Sequence, residues 1–197
     1  MKKIFVIILL ASLFATPALK AQKNLLSVQY SVGFTTGDFN KYISNTSFLG
    51  MNVDYRNMVT PNIGVGVEFA WNNFYESRDY GTYTTGTASI SGKQYRYTFA
   101  APMLLAADYY FKSSEKINPF IGIGLGTTHS RNSLDMGMYR WEEDVWHFAL
   151  RPEVGLIYTL NYNVGLIVTG KYYSNSASGD ISSRNFMTVN VGLAWTY

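Results

Sequence analysis

The sequence predicts an all-β fold, an eight-stranded antiparallel up-and-down transmembrane β-barrel, on three observations. Eight segments alternate apolar and polar residues with the period of two that a strand imposes. The connections between them alternate short and long. Within the segments the apolar parity carries no charged residue.

The N-terminus stands apart from this pattern. Lys2 and Lys3 precede an apolar run from Ile4 to Phe14, and small residues follow to Ala21. That is the anatomy of a secretory signal, with an apolar core too short for the ~20 residues of a membrane-spanning helix. We expect a signal peptide over residues 1–21 and a barrel domain over 22–197, with cleavage after Ala21 or, alternatively, after Ala18. Removing Lys2, Lys3 and Lys20 lowers the basic count from 16 to 13, equal to the 13 acidic residues, so the mature chain is neutral. A neutral chain argues against nucleic acid as a partner. The chain has no cysteine, so an exported protein must find its stability elsewhere.

The first strand, Leu26 to Phe34, sets Leu26, Val28, Tyr30, Val32 and Phe34 against Ser27, Gln29, Ser31 and Gly33. The second, Ser47 to Arg56, sets Leu49, Met51, Val53 and Tyr55 against Gly50, Asn52, Asp54 and Arg56. The third, Ile63 to Asn72, alternates Val65, Val67, Phe69 and Trp71 with Gly64, Gly66, Glu68 and Ala70. The fourth, Gln94 to Phe111, is longer, with Tyr95, Tyr97, Phe99, Met103, Leu105 and Tyr109 on its apolar side. The fifth, Pro119 to Thr128, faces Ile121, Ile123 and Leu125 one way and Gly122, Gly124 and Gly126 the other. The sixth, Val145 to Tyr158, opposes Trp146, Phe148, Leu150, Val154 and Leu156 to His147, Arg151, Glu153 and Gly155. The seventh, Val164 to Ser174, opposes Leu166, Val168 and Tyr172 to Gly165, Thr169 and Lys171. The eighth, Phe186 to Tyr197, aligns Met187, Val189, Val191, Leu193, Trp195 and Tyr197, with Phe186 alone off the pattern.

Asn57–Asn62, Ser113–Asn118 and Thr159–Asn163 read as short turns with Pro or Asn chemistry. Thr35–Thr46, Asn73–Lys93, His129–Asp144 and Asn175–Arg184 read as long loops. Aromatic residues gather at both strand ends, as the two interfaces of a bilayer favour. A soluble lipocalin-type barrel also has eight alternating strands, but its charges face water. Here the polar parity carries Asp54, Arg56, Glu68, Arg96, Asp108, Arg151, Glu153 and Lys171 together with many glycines, which suits a narrow interior. We expect these eight to form a paired lumenal charge network, because an unpaired buried charge is costly.

The stretches Ala101-Pro-Met-Leu-Leu105, Tyr109-Tyr-Phe-Lys112 and Asn118-Pro-Phe-Ile-Gly-Ile-Gly124 resemble small bacterial outer-membrane β-barrel proteins of the OmpA/OmpX-like and PorT-like group. The resemblance implies an outer-membrane location in a Gram-negative bacterium, surrounded by outer-membrane lipid and lipopolysaccharide. It also implies that Val189, Val191, Leu193, Trp195 and Tyr197 are read by the barrel-assembly machinery as a terminal signal. Members of the group are anchors, adhesins and assembly factors, so it implies a structural or surface-interaction role, with an extracellular ligand unknown.

Chemistry is sparse. Lys171-Tyr-Tyr-Ser-Asn175 is similar to the His-x-Ser-Asn patch of lipid A deacylase barrels, where the His activates the Ser. Here Tyr172 stands at the His position, and a phenol is no general base near neutral pH. Glu142, Glu143 and Asp144 form an acidic run, read as solvated loop charge in preference to a cation site. Gly122-Ile-Gly-Leu-Gly126 completes neither nucleotide glycine motif. The expectation is a non-enzymatic protein without cofactor or metal, with a lumen filled by charges and glycines. A lipid A-modifying acyl hydrolase centred on Ser174 and a small-solute channel are the alternatives.

Overall fold

Lipid supplies no hydrogen-bond partner, so a sheet that crosses it must close on itself. The computed structural model describes residues 24–85, 88–112, 116–177 and 182–197, and shows that closure. Its strands are β1 (Asn24–Thr35), β2 (Ser47–Thr60), β3 (Ile63–Thr85), β4 (Ala88–Tyr110), β5 (Ile117–Met136), β6 (Tyr139–Asn161), β7 (Val164–Asn175) and β8 (Phe186–Thr196), with a short helix α1 (Asp38–Tyr42) after β1. Each strand pairs antiparallel with its sequence neighbour, and β1 meets β8 in unbroken register from Leu25↔Thr196 to Thr35↔Phe186. The segment expected to be a signal peptide, with both cleavage sites, lies outside the described residues.

The alternation assigns the faces. Leu105 is 70 % exposed and Val154 61 %, while Glu68 and Arg151 on the other parity are fully buried. The apolar face is therefore the outer wall and the charged face the interior, which is the membrane arrangement and not the lipocalin one. Both expected aromatic groups point outward, Tyr109, Phe111, Tyr158 and Tyr197 at the short-turn end and Phe34, Trp71, Trp146 and Tyr172 at the other. Prolines within the wall interrupt its ladders. Pairing of β3 with β4 lapses opposite Pro102, and pairing of β6 with β7 lapses beside Pro152, as a residue without an N–H requires.

Two expected long loops are corrected. Asn73–Lys93 and His129–Asp144 are mostly strand, because β3 pairs with β4 as far as Thr85↔Ala88 and β5 with β6 as far as Met136↔Tyr139. The apolar alternation ends near Asn72 because the strands leave the hydrocarbon there, while backbone pairing continues in water. The β5–β6 ribbon turns through Gly137 and Met138, and Gly137 has the positive φ of 60° that a two-residue hairpin favours at its first position. Pairing of β2 with β3 stops at Leu49↔Asn73 and of β6 with β7 at Ala149↔Asn175. A four-stranded sheet, β3 to β6, thus stands above the rim on one side. The expected loop Thr35–Thr46 contains α1, whose Phe39 is fully buried beneath the outer mouth.

Leu125 is half exposed on the outer wall, midway along β5. Leu125→Arg is expected to destabilise the barrel in phospholipid vesicles by about 2–4 kcal/mol, read from denaturant unfolding. Unchanged stability would mean that this face meets water.

Candidate functional site

Inside the barrel, seven of the eight expected charges come together. Asp54 and Arg56 come from β2, Glu68 from β3, Asp108 from β4, Arg151 and Glu153 from β6 and Lys171 from β7. Lys171 Nζ reaches across the bore to Asp54 Oδ2 at 2.9 Å and Glu68 Oε2 at 3.1 Å, and lies 3.5 Å from Glu153 Oε2 beside it. Arg151 bridges Glu68 at 2.5 Å and Glu153 at 2.6 Å. Arg56 holds Asp108 at 2.6 Å and Asp54 at 3.2 Å, and donates a further bond to the Val67 carbonyl at 2.8 Å. Three cations thus face four carboxylates, all within the buried interior. The glycines of β5 give these side chains room. A Cβ at Gly122 would collide with the carboxylates of Asp108 and Glu153 on either side, and one at Gly124 would press on Arg151 at 3.1 Å.

Arg96 does not join the belt, which corrects the expectation. It lies on the inward parity, but at the outer mouth. Its Nε donates to Gln94 at 2.8 Å and its Nη1 to the Tyr42 carbonyl at 2.9 Å. β4 runs on past the rim, so equal parity does not mean equal depth.

Sequence reasoning missed the uncharged members. Tyr173 donates its hydroxyl to Glu68 at 2.6 Å, Asn52 accepts from Lys171 at 3.0 Å, and Gln29 donates to Asp54 at 2.8 Å. Thr169 and Asn190 extend this chain, with Thr169 donating to Gln29 and accepting from Asn190, both at 2.9 Å. It also missed two apolar layers that bound the belt. On the outer side Phe39, Phe74, Tyr173 and Phe186 pack ring on ring, with Tyr173 stacked on Phe186 at 4.6 Å. On the other side Tyr110 packs on Phe120 at 5.1 Å beside Ile157 and Ile167. The interior is therefore layered, and not filled by charges and glycines alone.

The remaining candidates do not converge. Tyr172 and Ser174 lie on the outward parity of β7, whereas Asn175 turns inward and is buried, accepting from Thr128 at 2.7 Å. His147 faces inward, its Nδ1 2.7 Å from the Ser176 carbonyl, and His129 pairs with Asp144 at 3.1 Å. Neither imidazole is hydrogen-bonded to Ser174. The acidic run splits along its strand. Glu142 pairs with Arg140 at 2.6 Å and Asp144 with Arg131 at 2.8 Å, while Glu143 sits between them on the opposite parity. Among the described residues no cluster of His, Asp and Glu is arranged to hold a metal ion. Val189, Val191 and Leu193 point outward from β8, Trp195 is partly buried at its end and Tyr197 is exposed just beyond it.

The model of the family described as outer membrane protein beta-barrel domain matches residues 6–196. The chain belongs to this family. Its place is accordingly the outer membrane of a Gram-negative cell. No curated protein matches the sequence. Among solved structures, Neisserial surface protein A is similar at 13 % identity with a TM-score of 0.57, covering 89 % of this chain and 96 % of that one. The attachment invasion locus protein Ail of Yersinia pestis, in complex with the heparin analogue sucrose octasulfate, is similar at 12 % identity and 0.53, covering 89 % and 99 %. The outer membrane protease OmpT of Escherichia coli is similar at 9 % identity and 0.56, covering 93 % and 99 %. At these identities the likeness is one of fold.

Glu68 joins Lys171, Arg151 and Tyr173 and is itself fully buried, so its loss leaves two buried cations short of a partner. Glu68→Ala is expected to cost about 3–5 kcal/mol. The double variant Glu68→Ala/Arg151→Met should cost less than the sum of its two single variants, because the second change removes a charge that the first leaves unpaired. Denaturant unfolding in lipid vesicles measures both.

Proposed function

We propose that this outer-membrane barrel is a non-enzymatic surface-interaction protein, exported on a signal peptide cleaved after Ala21, with a lumen plugged against solutes. The observation that carries this reading is the four-stranded sheet above the rim. Its strands present large apolar side chains where no lipid covers them: Tyr80 is 76 % exposed, Trp141 71 % and Met138 at the ribbon tip 98 %. Tyr75 and Tyr97 pack against each other at 4.9 Å lower on the same sheet. Exposed aromatic surface carried on a paired sheet supplies contact area with few side-chain torsions to fix, which is how binding surfaces are commonly built. The fold relative Ail carries attachment in its printed name, which supports the same kind of role here.

The layered interior supports the plug. The charged belt lies between two apolar layers, and the cavity at its lower edge, lined by Ser27, Asp54, Arg56, Asp108 and Glu153 among others, holds no more than one water. In the bilayer the outer wall meets lipid and lipopolysaccharide, and the apolar residues of β8 serve the barrel-assembly machinery as its recognition strand.

Cells displaying the protein should adhere to host-matrix or bacterial surfaces more than cells without it. Tyr80→Ser/Met138→Ser/Trp141→Ser should remove most of the gain at equal surface expression. Adhesion unchanged by the triple variant would overturn the reading. In planar bilayers the protein should give no discrete conductance, and steady single-channel steps would remove the plug. Mass spectrometry of lipid A should show the same acyl chains with and without the protein, and a chain lost only when Ser174 is intact would make it a hydrolase.

A further inference from the structure

At the outer mouth, on the bore side and away from the exposed aromatic tips, four basic side chains gather around Tyr42. Lys41 is neutralised by Asp38 at 2.7 Å and Arg78 by Glu76 at 3.0 Å. Arg96 and Arg184 have no carboxylate in contact among the described residues. Both lie over the Tyr42 ring, with guanidinium carbons 4.7 and 4.6 Å from its centre, and Arg184 also lies 5.4 Å from the centre of Phe39. Arg96 spends Nε on Gln94 and Nη1 on the Tyr42 carbonyl, which fixes its plane and leaves Nη2 uncommitted. Arg184 donates to none of the described residues, and its Nε is buried without a partner.

A buried guanidinium donor with neither a carboxylate nor a carbonyl is an expensive arrangement. Tyr42 stacking holds the two cations in place without satisfying their hydrogen-bond donors. Burial lowers the pKa of both arginines from the ordinary value, with the neighbouring Arg78 adding to the effect on Arg96 and Arg96 to that on Arg184. Glu143 and Asp38 act on Arg184, and Glu76 on Arg96, only at longer range.

We propose that Arg96 and Arg184, stacked on Tyr42 at the outer mouth, form a binding site for a phosphate or sulfate group carried by a soluble ligand. Two uncompensated positive charges match the double charge of a phosphate monoester or of inorganic sulfate, where a carboxylate brings one. Guanidinium forks are the donors that suit such oxygens. The position of the site selects the source. Arg78 and Arg96 lie on the inward parity of β3 and β4, so a lipid headgroup beside the outer wall meets other residues, such as Arg131 and His129. A soluble anion descends into the mouth from above.

The test is calorimetric titration of the full barrel, in zwitterionic phosphatidylcholine vesicles, with inorganic phosphate, sulfate and acetate at constant ionic strength. Phosphate and sulfate should bind and acetate should not. Arg96→Gln and Arg184→Gln should each weaken binding about 10–100-fold. Heat-modifiable migration on gels checks that each variant is folded. If one fails to fold, Glu143→Gln serves instead, and removal of its negative charge should tighten binding. Replacing part of the phosphatidylcholine by phosphatidic acid should leave the affinity for titrated phosphate unchanged, whereas competition would assign the site to a lipid headgroup and overturn the soluble source. Equal binding by wild type and the arginine variants, or equal heats from acetate, would overturn the site. Adhesion through Tyr80, Met138 and Trp141 is a separate readout, so loss of one conclusion leaves the other standing.

Discussion

Backbone hydrogen bonding in a medium without water is the constraint on which the rest of this structure depends. In the hydrocarbon every N–H and C=O must find a protein partner, and an open sheet leaves two edges unpaired. The unbroken β1–β8 register removes those edges. Closure then dictates the side chains. One parity of every strand must satisfy lipid and the other must fill a narrow bore. Two of the lapses in pairing, beside Pro102 and Pro152, occur where a residue has no N–H to offer.

Filling the bore with charge brings a second constraint. Ions taken from water are tolerated only when each is paired and hydrogen-bonded. Lys171 contacts residues of β2, β3 and β6 from its place on β7, and Arg56 ties β2 to β4 and β6. Except for Lys171 with Glu153 on the adjoining strand, these contacts cross the interior between strands that are not neighbours in the sheet, so they brace the barrel where its ladders cannot. The hydroxyl of Tyr173 belongs to the belt through Glu68 while its ring belongs to the outer aromatic layer through Phe186. One side chain thereby couples the polar and apolar layers.

Much of this was legible in the sequence, because period-two alternation reports directly on which face meets lipid. All eight strands and their inner and outer faces follow from it. It fails where its physical cause stops. Above the rim the outer face meets water instead of lipid, so Asn73–Lys93 and His129–Asp144 lose the apolar signature and read as loops although they are paired strand. Parity also says nothing about depth, which is why Arg96 was grouped with Arg56 and Glu68 yet lies at the mouth. The inner aromatic layers were visible in one clue. Phe186 breaks the alternation of its strand, and Phe74, Tyr110, Phe120 and Tyr173 likewise fall on the inward parity. An aromatic on the polar parity of such a strand marks a layer of interior packing. Helix α1 left no comparable trace, since five residues cannot show a helical period and its position depends on contacts far away in sequence.

Those distant contacts explain why the mouth is built as it is. The wall is tall from β3 to β6 and low elsewhere, so only the tall side can reach over the bore. Arg78 and Arg96, projecting from it, donate to the carbonyls of Lys41 and Tyr42 at 3.0 and 2.9 Å, the groups that a helix leaves unsatisfied at its C-terminus. Glu76, from the same wall, accepts the backbone N–H of Ser44 at 2.5 Å and its hydroxyl at 2.8 Å. Although burial pushes that carboxyl up, the bonds from Ser44 and Arg78 outweigh it and hold its pKa below the usual range, so it stays ionised and keeps its grip. Phe39 is held over the bore by this polar clamp from outside and by Phe74 from within. The asymmetry of the sheet therefore does two things at once. It lifts an aromatic surface clear of the membrane, and it supplies the arm that fastens α1 across the mouth. Arg184 approaches from the low side and receives no such partner, which is why the charge left uncompensated there falls at the junction of the two walls.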